Sequence, residues 1–153
     1  MKEPRFERLG GKVRDIQELT TDENVAIYDD LHLQRWGLRP HVVGSLKTKL
    51  AALRKILFGK VIWQGERPIA IQVNYRADTS RAICVDYING GADKAAKNIS
   101  PGSLLSYING RVACEDSRGS GKLLLYSYGK ANTEYKDQWC HRVPREFSGL
   151  WLP

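Results

Sequence analysis

Three stretches of this sequence carry side chains whose types and spacing could do chemistry. The first is YGKANTEYKDQW, residues 128–139, where charged and amide groups alternate with Tyr135 and Trp139. It follows LLLYSYG, which reads as a buried strand. Tyr135 and Trp139 are four apart, the spacing of neighbours on one helix face, so a short helix pinned by two rings is expected. Lys136 then offers a positive charge, and Asn132 an amide that could position a substrate amide or a backbone group. The plainer alternatives are a surface lysine and a turn residue, with Tyr135 as packing. The second stretch is SPGS, residues 100–103. Ser100 suits a helix N-cap and Pro101 the first helical position. Free N–H groups and a positive dipole end there could hold an anion or an acyl carbonyl. Capping alone explains Ser100 and Pro101. Gly102 is not needed for capping, and it lets another group approach beside Ser103. The third feature is Asp86, mid-strand and out of register with Val85 and Tyr87. It could accept a proton from an amine, or simply face solvent.

Other chemistries lack their residues. Cys84, Cys114 and Cys140 are widely spaced and odd in number, so no disulfide framework or CxxC zinc site is expected. Cys140 adjoins His141, but sequence neighbours rarely face each other, and no Ser/His/Asp set is legible. With no HExxH and no His clustered with carboxylates, no metal is expected. The net charge of +7 suits a solvated basic surface or attraction to an anion such as nucleic acid, lipid or a phosphorylated molecule. A DNA regulator would rest on charge alone: HLQRWGLRPHVVGSLKTKL puts a long, proline-containing connection between two helices, unlike a helix-turn-helix. No apolar run approaches the roughly 20 residues that span a bilayer, and the start, MKEPRFERLGG, shows no apolar signal core.

The elements that must position these residues follow from periodicity and punctuation. Residues 1–19 read as an arm or edge strand, and 20–153 as a single domain. A helix over 20–36 is expected, with Thr20 and Glu23 forming a capping box, a buried face of Ile27, Tyr28, Leu31 and Trp36, and a stop at Gly37. A second helix, capped by Ser45, runs over 45–57 with Leu46, Leu50, Leu53 and Leu57 as its stripe. Residues 60–64 and 68–75 form a hairpin. A third strand covers 81–88, GGADKAAKN is a loop, and a third helix covers 100–117. KLLLYSY, 122–128, reads as a strand covered on both faces, and a last strand could lie at 146–152. A crossover from 81–88 through the helix to 122–128 makes those two strands parallel neighbours. The fold class is α/β (α+β), a mixed sheet with helices on both faces.

This order resembles the GNAT acyltransferase fold. YINGG, SPGSLLSYI and LLLYSYGKANTEYKDQW together resemble its FemAB-like branch, where Ser-Pro-Gly opens the central helix and a strand leads into a Tyr-Lys segment. Ser100, Pro101, Gly102, Gly129, Tyr135 and Lys136 occupy those places, and the resemblance covers about 45–142. More narrowly, the chain is similar to the C-terminal part of the macrophage-induced family of bacterial antimicrobial-peptide-resistance proteins, whose members are about twice this length. The resemblance implies acyl- or aminoacyl-transfer at the bacterial envelope, in the cytoplasm or peripherally on the inner membrane. It implies Lys136 beside the reacting carbonyl. It implies aminoacyl-tRNA or another acyl donor, with an envelope precursor as acceptor. The loop DKAAKNISPGS lacks the glycine motif that cradles the coenzyme A pyrophosphate, so tight acetyl-coenzyme A binding is not expected. A non-catalytic binding module on the same fold is the alternative.

Overall fold

Thr20 and Glu23 start the first helix as the sequence predicts. The Thr20 hydroxyl accepts from the Glu23 N–H, and the Glu23 carboxylate accepts from the Thr20 N–H at 2.7 Å. In the computed structural model, which describes residues 6–7, 10–40, 43–96, 98–129, 134–138 and 140–142, helix α1 spans Thr21–Trp36. It stops at Gly37, whose left-handed φ of 75° lets its N–H reach the Leu33 carbonyl. Ile27, Tyr28 and Leu31 are buried, while Trp36 is exposed and stacks against Arg35.

Helix α2 spans Val43–Ala52, so it begins two residues before Ser45 and ends well before Leu57. A 3-10 turn follows at Arg54–Ile56. The early stop has a physical reason: Leu57 and Phe58 form strand β2 and pair with Tyr75 and Asn74, so the sheet satisfies backbone groups that the helix would have used. Leu57 is accordingly buried in the sheet, and Leu53 lies exposed.

The remaining strands are β1 (Gly11–Asp15), β3 (Lys60–Gln64), β4 (Arg67–Asp78), β5 (Ala82–Ala92) and β6 (Leu123–Ser127), with helix α3 (Pro101–Ser120) between the last two. The sheet order is β1-β3-β4-β5-β6, with β2 also on β4. Strand β1 lies at one edge, antiparallel to β3. Every pairing is antiparallel except β5 with β6, which is parallel. The crossover read from the sequence is therefore present.

Alternation along the strands fills both faces. Val61 and Ile71 face α1 and α2, packing with Leu31, Leu46 and Leu50. Ile62 and Ala70 face α3, packing with Leu104, Leu105 and Ile108. Burying each such leucine contributes on the order of 1.5–3 kcal/mol. Two expectations from the sequence change here. Strand β5 runs on through Gly90 and Gly91 to Ala92, beyond the expected bounds of 81–88. Strand β6 is not covered on both faces: Leu123 and Leu125 are exposed, while Leu124 and Tyr126 pack inward. A run of apolar residues cannot by itself distinguish a doubly buried strand from an edge strand with one open face.

Candidate functional site

The parallel pair β5–β6 is zipped only as far as Asp86 and Ser127. Strand β5 continues to Ala92, whereas β6 ends and the chain turns at Gly129, φ 68°. A cleft opens where the strands part. It holds a cavity of about 370 Å³ lined by Arg35, Gln72, Tyr87, Tyr128, the 100–103 turn and Ser106.

A β-bulge aims β5 into this cavity. Val73 pairs with Asn89 but Asn74 pairs with Tyr87, so one residue of β5 is extra. Gln72 is opposite Gly90, and the bulge brings Tyr87 to the same face as Gly90. A Cβ on Gly90 would lie 2.9 Å from the Ile71 carbonyl and 3.3 Å from the Tyr87 hydroxyl. No larger residue fits without movement. Behind Tyr87, its ring lies 5.5 Å from that of Tyr128, which stacks on Tyr126 at 5.1 Å. Burial pushes the Tyr126 hydroxyl well above its ordinary range, and the neighbouring tyrosines add to this. Tyr126 therefore stays neutral and donates to Asn74 Oδ1 at 3.4 Å.

The floor of the cavity is a chain of buried polar groups. The Lys60 N–H donates to Asn109 Oδ1 at 2.8 Å. Asn109 Nδ2 donates to Gln72 Oε1 at 2.9 Å, and Gln72 Nε2 donates to Ser106 Oγ at 2.7 Å. Gly59, at φ 126°, packs against the same amides, where a Cβ would lie 2.9 Å from Asn74 Nδ2.

The roof is the first turn of α3. Ser100 occupies the N-cap position in a left-handed conformation, φ 48°, and its side chain makes no capping hydrogen bond. The sequence expectation of simple serine capping is corrected here, because in that conformation the hydroxyl does not cap the turn. Gly102 has open space: a methyl added there would find its nearest neighbour, the Ala92 methyl, at 3.7 Å. Ser103 is exposed on the same lining. Arg35 comes from the last turn of α1, giving the lining its positive charge. The preceding loop is tied up internally: buried Asp93 pairs with Arg67 and accepts from the Ala95 N–H at 2.7 Å, and the Ile99 N–H goes to the Ala96 carbonyl.

Of the residues singled out from sequence, Ser100, Gly102 and Ser103 line this cavity. Asp86 does not: it is exposed on the opposite face of β5, in register with Tyr75 and Ser127. Lys136 sits in a 3-10 turn, Glu134–Gln138, where its carbonyl accepts from the Cys140 N–H at 3.1 Å, and it is not among the lining residues. Asn132 and the side chain of Tyr135 lie outside the described residues, as do Trp139 and the tail at 146–152. Among the described residues no group of three metal-ligating side chains occurs, and no helix is long and apolar enough to cross a membrane. Sequence reasoning missed Gln72, Ser106, Tyr87, Tyr128 and Arg35. Two signals were available: Gln72 is a lone amide in the apolar run PIAIQV, and Ser100, Ser103 and Ser106 recur every three residues along one side of a helix.

The Mig-14 family profile matches residues 2–146. The chain belongs to the Mig-14 family. No curated protein matches it. Solved structures that resemble this Mig-14 member include several described as acetyltransferases. A "possible acetyltransferase" from Clostridium difficile superposes with a TM-score of 0.67 at 10% identity, over 94% of this chain and 98% of that one. A "predicted acetyltransferase with acetyl-CoA" from Clostridium acetobutylicum gives 0.57 at 12%, over 92% and 95%. An aminoglycoside N-acetyltransferase in complex with CoA gives 0.58 at 9%, over 90% and 91%. These likenesses show the fold, that of the GNAT acetyltransferases.

One of those structures holds acetyl-coenzyme A and another coenzyme A, which stands against the expectation, drawn from the missing glycine motif, that this chain does not bind acetyl-coenzyme A tightly. The cavity lining here offers groups that suit an anion. The uncapped first turn of α3 can present the Gly102 and Ser103 N–H groups, and Arg35 is on the same cavity lining. The loop before it adds little, since Asp93 and Ala96 already engage the Ala95 and Ile99 N–H groups.

Proposed function

We propose that this chain is an acyltransferase of the bacterial envelope, FemAB-like in its substrates, acting in resistance to cationic antimicrobial peptides. One observation carries the reading: strands β5 and β6 part after Asp86 and Ser127 over a cavity roofed by an uncapped helix N-terminus. A planar acyl group fits between parted strands, and the helix end and Arg35 suit the anionic carrier behind it. In the reaction an amine nitrogen of the acceptor attacks the acyl carbonyl carbon. The bond from that carbon to the donor's sulfur or oxygen breaks, and the amine gives up a proton. Holding the two reactants together accounts for much of the acceleration. Lys136, in the turn that follows β6, supplies positive charge near the mouth. Its support is its position after the carboxyl end of β6, one of the two parallel strands. The net charge of +7 suits an anionic donor such as aminoacyl-tRNA or an anionic envelope precursor.

A specific observation favours a second reading, a non-catalytic binding module: among the described residues no carboxylate or histidine lines the cavity, so a strong base for the acceptor amine is not in place. The two readings separate in a transfer assay. Purified protein is given acetyl-coenzyme A or aminoacyl-tRNA with a panel of amines, and acylated product is measured by mass. Product that falls on Arg35→Ala supports transfer. Binding of a donor by calorimetry without product supports the module. Neither binding nor product refutes both.

A further inference from the structure

The buried chain from Lys60 to Ser106 fixes more than packing. Asparagine and glutamine amides are usually ambiguous, because their oxygen and nitrogen ends can be exchanged. Here the ambiguity is removed at one end. The Lys60 N–H can only donate, so the Asn109 atom 2.8 Å from it must be the oxygen. Asn109 Nδ2 then faces Gln72 and donates, so the atom it meets must be Oε1. Gln72 is left pointing its NH₂ group at Ser106, and the serine oxygen must accept. Ser106, Gln72 and Asn109 are at most 6% exposed, so water cannot easily rearrange the chain. The direction of every bond follows from one peptide N–H.

This leaves the Ser106 proton. A helical serine often donates to the carbonyl four residues back, as Ser120 does to Asp116 at 2.7 Å. Ser106 makes no such bond, and among the described residues its hydroxyl donates to nothing. A buried donor without a partner is costly, and Ser106 lines the cavity. We infer that Ser106 is a substrate-positioning donor: its O–H, aimed by the Lys60–Asn109–Gln72 relay, meets the carbonyl oxygen of the acyl group bound between β5 and β6. This rests on the acyltransferase reading and adds the specificity it would have. The cavity floor selects donors with an acceptor oxygen at that point, and an ether or alkyl analogue of the same length is rejected.

Gln72→Glu tests the direction of the relay with almost no change of size. Once ionised, the new carboxylate can only accept, so it takes the Ser106 proton and turns the serine's lone pairs to the cavity. Ser106→Ala removes the donor outright. Two measurements are made on wild type and both variants at alkaline pH. The first is a high-resolution crystal structure without ligand. In the wild type an ordered water lies about 2.7–2.8 Å from Ser106 Oγ, inside the cavity. The second is isotope-edited infrared spectroscopy of ¹³C-carbonyl acetyl-coenzyme A, with its apparent affinity. The bound carbonyl band lies at lower wavenumber in the wild type than in either variant, and affinity falls about three- to tenfold in both, the range of one neutral hydrogen bond. The double variant is no worse than Ser106→Ala. If the crystal shows Ser106 bonded to the Gly102 carbonyl and no water on its Oγ, the inference is wrong whatever the protein's activity. If the water is present but the bound carbonyl band does not respond to Ser106→Ala, Ser106 does not meet the acyl group and the inference is again overturned. If the water is present and acetyl-coenzyme A does not bind, the relay stands as geometry, and the acyl-carbonyl assignment falls together with coenzyme A as donor.

Discussion

Gly91 decides where Arg35 stands, and Gly91→Ala is the sharpest test of the architecture. Helix α1 crosses β5 at this residue. A Cβ there would lie 2.6 Å from both the Leu31 carbonyl carbon and the Leu31 Cβ, and 2.7 Å from the His32 nitrogen. The optimum separation for carbon pairs is about 3.5–4.0 Å, so the shortfall is roughly 1 Å. Two of the three atoms met are backbone, and no side-chain rotation relieves the clash. The helix or the strand must move. Overpacking of this kind costs about 1–3 kcal/mol, and with backbone on both sides the upper end applies. For a protein of this size each kcal/mol lowers Tm by about 2–4 °C, so Gly91→Ala should lose roughly 6–12 °C. Gly110 in α3 is the control, since a Cβ there meets nothing within 4 Å. Gly110→Ala should stabilise by about 0.5–1 kcal/mol through helix propensity alone. Both are measured by thermal melting followed by circular dichroism. The same displacement moves the last turn of α1, so Gly91→Ala also weakens anion binding at the cavity. A Tm within about 2 °C of wild type would refute the close approach of α1 to β5, and with it the placing of Arg35.

Asn109→Leu removes the acceptor for the part-buried Lys60 N–H and should cost about 1–3 kcal/mol in urea unfolding, with a matching loss of acyl-donor affinity. The Glu23 carboxyl is held below its ordinary 4.5, first by the Thr20 N–H and then by its hydroxyl. The unfolded chain therefore binds more protons in that range, so the contribution of this pair is present above pH 4.5 and fades as pH falls below it. Thr20→Ala should cost about 1 kcal/mol at neutral pH and flatten the acid limb of the stability curve. Lys136→Ala should lower any acyl-transfer rate by roughly one to three powers of ten, if it meets developing charge, while Tm stays unchanged. Loss of folding in that variant would make Lys136 a structural residue.

The chemistry of individual positions wrote several elements directly into the sequence. Thr20 with Glu23, and then Gly37, mark both ends of α1 because capping and a left-handed stop depend on residues within a few positions. The alternation of Ile83, Val85 and Tyr87 gave the buried face of β5. The length between residues 88 and 122 gave the parallel crossover, since a parallel pair needs a helix-sized connection. Ser100, Gly102 and Ser103 were legible as a helix end with spare N–H groups. What the sequence could not contain is the result of long-range register. The bulge at Tyr87 and Asn89 exists only relative to Val73 and Asn74 on another strand, and without it Tyr87 and Gly90 would point to opposite faces. Asp86 read as a candidate base from its place between apolar neighbours, yet the face it occupies became known only when α3 was seen to cover the other one. Leu123 and Leu125 looked buried because hydropathy does not say whether anything lies beyond the strand. The relay through Lys60, Asn109, Gln72 and Ser106 joins groups 34 to 49 residues apart. Hydrogen-bond direction is a property of three-dimensional contact, and no local pattern in the chain could have specified it.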